Sequence, residues 1–139
     1  TSDQLRTTLE GYVDPNKRAR VTENVLKGVE SKFFKPAIQR IVRMLDDMEE
    51  VLSNGSWLAG NSYSLADVAF TPYVNRVVHL QQRWLLDNRP NVGGWFERIC
   101  ARPSFKTALV DWFIADFINL MREKGLENLE GVKSIVGEN

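Results

Sequence analysis

Residues 60–67 read Gly-Asn-Ser-Tyr-Ser-Leu-Ala-Asp, and this stretch predicts the start of a helix. The hydroxyl of Ser64 is placed to accept a hydrogen bond from a first-turn backbone N–H that has no partner within the helix. Asp67 follows three residues later, and its carboxylate can accept from the N–H of Ser64, which completes a capping box. Tyr63 and Val68 flank the box at the spacing of a hydrophobic staple. We therefore expect a helix that is capped by Ser64.

Short motifs on both sides of this box resemble those of a known family. They are Trp-Leu-Ala-Gly at residues 57–60, Val-Ala-Phe-Thr-Pro-Tyr at 68–73, Arg-Pro-Asn-Val at 89–92, Trp95, and Arg-Pro-Ser-Phe at 102–105. In this order and spacing they resemble the C-terminal domain of the glutathione transferase superfamily. The resemblance implies an all-α fold, a glutathione transferase C-terminal-like helical bundle. It also implies that the capping box directs folding and takes no part in catalysis.

Composition limits the class of protein. The chain has 139 residues, which favours one domain over residues 1–139. Lys plus Arg and Asp plus Glu both number 18, so the net charge is zero, and this argues against nucleic-acid binding. A single Cys and a single His give no zinc-binding spacing and no internal disulfide, and no apolar run reaches transmembrane length. We therefore expect no metal, no membrane segment, and a cytoplasmic protein.

Helical periodicity is present almost throughout, and alternating strand patterns are nearly absent. The clearest helix extends over Phe34–Leu52, where apolar residues recur at steps of four and three: Phe34, Ile38, Ile41, Leu45, Met48 and Leu52. The stripe covers too few heptads for a coiled coil, so a core helix is favoured. We expect Asn54-Gly55 to end it in the left-handed conformation.

The other segments are predicted with less detail. Residues 4–12 and a segment starting at Asp14-Pro15 are expected to be helical, the latter with a short apolar face. The helix after Ser64 should be kinked at Pro72 and continue. Further helices are expected over residues 92–101, where Cys100 should pack as a small hydrophobe, and 112–124. Residues 126–139 are expected to form a partly ordered tail.

Asp67 has two possible roles. As a functional residue it would be a carboxylate general base. As a structural residue it caps a helix, where a carboxylate also meets the favourable end of the helix dipole. The cap is favoured, and no catalytic residue is assigned in this chain.

A second group of residues is a candidate for substrate binding. Tyr73, Arg76 and His79 are spaced three apart on the helix after Ser64, so they share one side of it. They form either a partly exposed flank or a surface that faces an apolar electrophile beside an anionic cofactor. Trp112 and Phe113 are either core residues of the last helix or the wall of the same pocket.

The resemblance implies a function for a longer protein. The 139 residues resemble a fragment of a glutathione transferase without its thioredoxin-like N-terminal domain. That domain would bind glutathione and activate its thiol, and the parent would be a homodimer acting on small apolar electrophiles. This chain would supply part of the electrophile pocket and would be inactive alone. The alternative is a stand-alone protein interaction module, because similar domains serve that role in aminoacyl-tRNA synthetases and an elongation factor.

Overall fold

The computed structural model describes residues 9–137, and this part of the chain is all-α, as predicted. Seven α-helices follow one another in it: α1 Pro15–Lys27, α2 Phe34–Leu52, α3 Leu65–His79, α4 Pro90–Cys100, α5 Pro103–Ala108, α6 Ala115–Glu127 and α7 Leu129–Gly137. Short 3-10 turns at Gly28–Glu30, Arg83–Leu86 and Val110–Trp112 connect them. The predicted helix over residues 4–12 lies mostly outside the described residues, although Leu9 and Glu10 are helical.

The core lies between α2, α3 and α4. The apolar stripe of α2 supplies Leu45, Met48 and Leu52, all buried, and Val42 joins them. Facing them are other buried apolar side chains: Val74, Val77, Leu85, Leu86, Val92, Trp95, Phe96 and Ile99. The predicted stripe is therefore correct, and its burial supplies the hydrophobic stabilisation of the bundle.

Ionic and polar contacts fix α4 against α2. The carboxylate of Glu49 accepts hydrogen bonds from the backbone N–H groups of Asn91 and Val92, at 3.1 and 2.9 Å. It thereby caps α4, whose own N-cap residue, Arg89, makes no side-chain cap. Arg89 instead pairs with Asp46 at 2.6 Å. Two acidic residues from the polar face of α2 thus orient the next core helix.

Three predicted details were wrong: the backbone conformation after α2, the burial of α1 and the burial of Cys100. The chain leaves α2 through Ser53 in right-handed backbone, and Gly55 is not among the positive-φ residues of the described part. Gly55 is needed for space, because a Cβ there would lie 2.8 Å from the carbonyl oxygen of Gly60. The apolar face predicted for α1 is not buried: Leu26 is 71% exposed. Cys100 is exposed, since Ile99 takes the inward position of that turn.

The C-terminal region is more ordered than predicted. The segment expected to be a tail forms α7, which contacts α2 and buries Val132. The predicted last helix over 112–124 begins three residues later, at Ala115, because Phe113 and Ile114 adopt extended backbone. That extension turns the Phe113 ring toward α3. Helix α3 itself continues through Pro72 to His79, as expected.

Candidate functional site

The two ends of α3 have different surroundings, and the first turn is occupied by the capping box. The hydroxyl of Ser64 accepts from the N–H of Ala66 at 3.2 Å, and the carboxylate of Asp67 accepts from the N–H of Ser64 at 2.8 Å. Asp67 also accepts from the N–H of Leu58 at 3.0 Å and from the indole N–H of Trp95 at 2.8 Å. One carboxylate thus joins α3, α4 and the loop before α3.

Asp67 has no surface exposed to solvent. Burial raises the pKa of Asp67, but the hydrogen bonds from Leu58, Trp95 and Ser64 outweigh it and hold the pKa below its usual value. The carboxylate is therefore ionised near neutral pH, and both of its oxygens accept hydrogen bonds from these donors. Since a substrate cannot reach it, the geometry favours the structural interpretation over a general base.

The last turn of α3 borders an open cleft of about 370 Å³. From α3 come Pro72, Asn75, Arg76 and His79, and from the segment before α6 come Leu109, Trp112, Phe113 and Ile114. Helix α6 completes the cleft with Phe117, Ile118, Leu120 and Met121. The structure thus brings together four of the five predicted binding residues, although 33 positions separate His79 from Trp112 in the chain.

An imidazole and an aromatic ring form the inner part of this cleft. The rings of His79 and Phe113 meet edge to face, with their centroids 4.9 Å apart and an interplanar angle of 82°. Burial lowers the pKa of His79 below 6.5, and the nearby charge of Arg76 lowers it further. His79 is therefore a neutral imidazole at physiological pH, with one nitrogen able to donate a hydrogen bond and the other to accept one.

The outer part of the cleft carries a cation and an indole. The guanidinium of Arg76 is exposed and contacts the thioether of Met121 on α6. The indole N–H of Trp112 donates to the carbonyl of Thr107 at 3.0 Å, which holds the ring while 77% of the residue stays exposed. Exposed aromatic and aliphatic side chains beside one cation are a suitable surface for an apolar molecule with a polar or anionic substituent.

A close contact between α6 and the end of α3 lies just beyond the last turn of α3, and the sequence does not predict it. Gly125 of α6 is buried so near the end of α3 that a Cβ there would lie 1.9 Å from the carbonyl oxygen of Leu80. The buried amide of Gln82 donates to the carbonyls of Gly125 and Leu80, both at 3.0 Å. Its oxygen accepts from the indole N–H of Trp84 at 2.9 Å. The only signal in the sequence is a glycine that directly follows the helix predicted over residues 112–124.

Tyr73 lies outside the cleft. The residue is 56% exposed, and its ring pairs with that of Phe70 at 6.5 Å between centroids. Leu65 lies two turns before Tyr73 on the same side of α3, and it is 84% exposed. An exposed Leu and Tyr on a central helix form an apolar face that no other described residue of the chain covers. The role of Tyr73 in substrate binding stays a prediction.

Within residues 9–137 no group of three or more His, Cys, Asp or Glu side chains is arranged to hold a metal ion. None of the helices described there has the length and apolar character needed to cross a membrane.

Comparison with known proteins gives the family. The family described as "Glutathione S-transferase, C-terminal domain" matches residues 31–103. Glutathione S-transferase F13 of Arabidopsis thaliana is 30% identical over 125 residues, covering 71% of this chain and 56% of the relative. Disulfide-bond oxidoreductase YfcG of Escherichia coli is 38% identical over 83 residues, covering 60% of this chain and 36% of the relative.

A relative named for a different activity is tetrachloro-p-hydroquinone reductive dehalogenase of Sphingobium chlorophenolicum. It is 34% identical over 68 residues, covering 49% of this chain and 27% of the relative. Among the relatives named here, the chain thus spans at most 56% of a relative's length. No solved structure gives a significant match. The family match covers more than half of the chain, across the core helices and the capping box, and the chain belongs to the glutathione S-transferase C-terminal domain family.

Proposed function

We propose that this chain forms the electrophile-binding side of a glutathione transferase active site. The observation that carries the proposal is the cleft between α3 and α6, where Arg76, His79, Trp112 and Phe113 converge. The aromatic rings offer an apolar surface, Arg76 offers a cation, and the neutral His79 offers a hydrogen bond. These are the groups needed to hold an apolar electrophile that carries a nitro, carbonyl or halide substituent.

The thiol chemistry belongs to another part of the proposed protein. A thioredoxin-like domain would bind glutathione and lower the pKa of its thiol, so that the thiolate attacks the electrophile held in the cleft. The exposed face of α3 with Leu65 and Tyr73 suits a contact with that domain, because apolar surface on a central helix is stabilised by being covered. In this arrangement Tyr73 lies at the boundary between the domains.

The relatives described above are a transferase, a disulfide-bond oxidoreductase and a reductive dehalogenase. We propose glutathione as the common thiol and either conjugation or thiol exchange as the reaction. We also propose that the whole protein is a cytoplasmic homodimer, as the family resemblance implies and as a single unpaired cysteine permits.

The experiment uses the purified 139-residue chain and the aromatic electrophile 1-chloro-2,4-dinitrobenzene. We expect calorimetry to detect its binding, and Phe113→Ala to weaken the affinity by roughly tenfold through loss of an aromatic contact. Tyr73→Ala is the matched control, because it removes an exposed aromatic ring of α3 that does not line the cleft. Its affinity should equal that of the unchanged chain.

Two outcomes would contradict the proposal. Absence of binding by the unchanged chain would favour the interaction-module alternative. Glutathione-dependent turnover by the chain alone would show that its own residues activate the thiol.

A further inference from the structure

One residue of the cleft between α3 and α6 is buried although its side chain is polar and has no partner. Asn75 lies on α3, one turn before His79, and only 8% of its surface is exposed. Its side-chain amide makes no hydrogen bond to any residue within 9–137. Nearly all buried amides are hydrogen-bonded, because an amide that loses water without gaining a partner costs free energy. The exception at Asn75 therefore points to a partner from outside the chain.

The amide of Asn75 is open to the cleft. In the part of the chain that the structure describes, one fully enclosed side-chain nitrogen or oxygen has no hydrogen bond, and it is the Nε of Arg102. The amide atoms of Asn75 therefore keep some contact with open space, and the open space that Asn75 lines is the cleft between α3 and α6. A molecule bound in the cleft meets this amide at the wall.

The polar groups of the cleft include acceptors as well as donors. Arg76 can only donate, and the indole N–H of Trp112 already donates to the carbonyl of Thr107. Asn75 offers an oxygen that accepts and an NH2 group that donates. His79 lies one turn further on the same side of α3, and its neutral ring offers one accepting and one donating nitrogen. Two acceptors, on Asn75 and His79, thus lack a donor.

A ligand that only accepts hydrogen bonds does not satisfy these two acceptors. A nitro group or a halide can accept from Arg76 or from the amide of Asn75, but it displaces water from the acceptors and supplies no donor in return. A hydroxyl group donates one hydrogen bond and accepts another. A site that hydrogen-bonds a hydroxyl discriminates strongly against an analogue without it, because its buried polar groups are then left unpaired.

We propose that Asn75 is a specificity-determining residue of this cleft and that it selects aromatic electrophiles carrying a hydroxyl group. The hydroxyl lies between Asn75 and His79, donating to one and accepting from the other, while the aromatic ring of the ligand packs against Phe113. The assignment rests on the proposed function, since it gives a substrate class to the same cleft. Keeping an unpaired amide at a buried position lowers stability, which is the usual cost of a binding site.

The test compares 4-chlorophenol with 4-chloroanisole on the 139-residue chain by calorimetry at neutral pH. The two ligands have the same ring, chlorine and oxygen, but only the phenol can donate a hydrogen bond. The methyl group of the anisole adds apolar surface, so apolar burial alone favours the anisole. We expect the phenol to bind at least about tenfold more tightly. Its binding should also shift the NMR signals of the His79 ring protons.

Asn75→Leu is the decisive variant, because Leu has nearly the shape of Asn and no polar atom. It should abolish the preference for the phenol without weakening the binding of the anisole. It should also raise the melting temperature, since an apolar side chain replaces an unpaired amide at a buried position. A purely structural role of the amide would lower the melting temperature instead. If the Leu variant does not fold, Asn75→Ala, which also lacks the amide, decides whether the preference is lost.

Two further variants show where the ligands bind. Asn16→Leu removes an exposed amide of α1 that does not line the cleft, and it should change neither affinity. Phe113→Ala removes an aromatic wall of the cleft and should weaken the binding of both ligands by a similar factor.

The outcomes separate this inference from the proposed function. If both ligands bind equally well and Phe113→Ala weakens both, the cleft binds aromatic molecules but the selection of a hydroxyl is overturned. An undiminished preference for the phenol in a folded Asn75→Leu or Asn75→Ala chain would overturn the role of Asn75. If neither ligand binds to the unchanged chain, the proposed function fails and this inference fails with it.

Discussion

The first and last turns of α3 belong to one helix but are built differently. At the first turn, the Asp67 carboxylate is completely buried and accepts from backbone, hydroxyl and indole donors on three segments. At the last turn, Arg76 is exposed, and the rings opposite it border an open cleft. The first turn therefore contributes to stability and the last turn leaves surface free for a ligand. A rigid attachment at one end holds the side chains of the other end in place.

The largest expected loss of stability comes from a substitution in the first turn of α3. In Asp67→Ala, the N–H groups of Leu58 and Ser64 and the indole of Trp95 lose their acceptor inside the protein. Each buried donor left without a partner costs about 1–3 kcal/mol, so we expect the free energy of unfolding to fall by about 3 kcal/mol or more. Urea unfolding measures this change.

Glu50→Ala is the control, because it removes an exposed carboxylate of α2. It should change the free energy of unfolding by less than about 0.5 kcal/mol. If the two variants unfold at the same urea concentration, the carboxylate of Asp67 does not stabilise the bundle.

The second prediction moves the wall of the cleft. Gly125→Ala places a Cβ against the carbonyl of Leu80, so α6 must shift away from α3. We expect a loss of about 1–3 kcal/mol of stability, as for other overpacked sites, together with weaker electrophile binding. Thermal melting and calorimetry on the same samples measure both.

Gly131→Ala is a matched control on α7, where a Cβ would meet nothing within 4 Å. Because Ala is the better helix former, we expect this variant to gain about 0.5–1 kcal/mol. A gain of stability in both variants would mean that the contact between α3 and α6 is not tight.

The capping box and the contact at Gly125 differ in how well the sequence predicts them. The capping box was predictable because Ser64 and Asp67 lie within one turn and their spacing alone defines the contact. The apolar stripe of α2 was predictable for the same reason, since it repeats with the period of the helix. Gly125 and Leu80 are 45 positions apart, and no local pattern joins them. Their contact follows from tertiary packing.

The site was predictable to a similar extent. Arg76 and His79 were placed on one side of a helix by their spacing, and the structure has them in one cleft. Trp112 and Phe113 were assigned to a helix, yet Phe113 reaches His79 because the chain there is extended. The hydrogen bonds that Asp67 accepts from Leu58 and Trp95 join residues from separate segments, and sequence spacing gives no information about them.

The third prediction concerns how the stability contributed by the first turn of α3 depends on pH. The pKa of Asp67 is lower in the folded protein than in the unfolded chain, so the unfolded chain binds more protons in the acid range. The stability contributed by the carboxylate is therefore present above the usual pKa of Asp, about 3.9, and is lost as pH falls through the lower folded value. We expect Asp67→Asn to lose stability at pH 7 but to show a weaker acid dependence than the unchanged chain. Parallel pH profiles would exclude Asp67 as a source of the acid sensitivity.

The smallest expected effect concerns the pKa of His79 in the last turn of α3. Burial and the charge of Arg76 hold the pKa of His79 below 6.5, so the neutral imidazole should persist into mildly acidic solution. Because His79 is the only histidine, its ring protons can be followed by NMR without overlap, and we expect a titration midpoint below 6.5.

Two variants separate the causes of the low pKa. Arg76→Gln removes the charge, which is the smaller cause, and should raise the midpoint only in part, since burial against Phe113 remains. Phe113→Ala exposes the ring and should raise it further. A midpoint at or above 6.5 in the unchanged chain would mean that solvent reaches His79 freely, and that the inner part of the cleft is more open than the contact with Phe113 indicates.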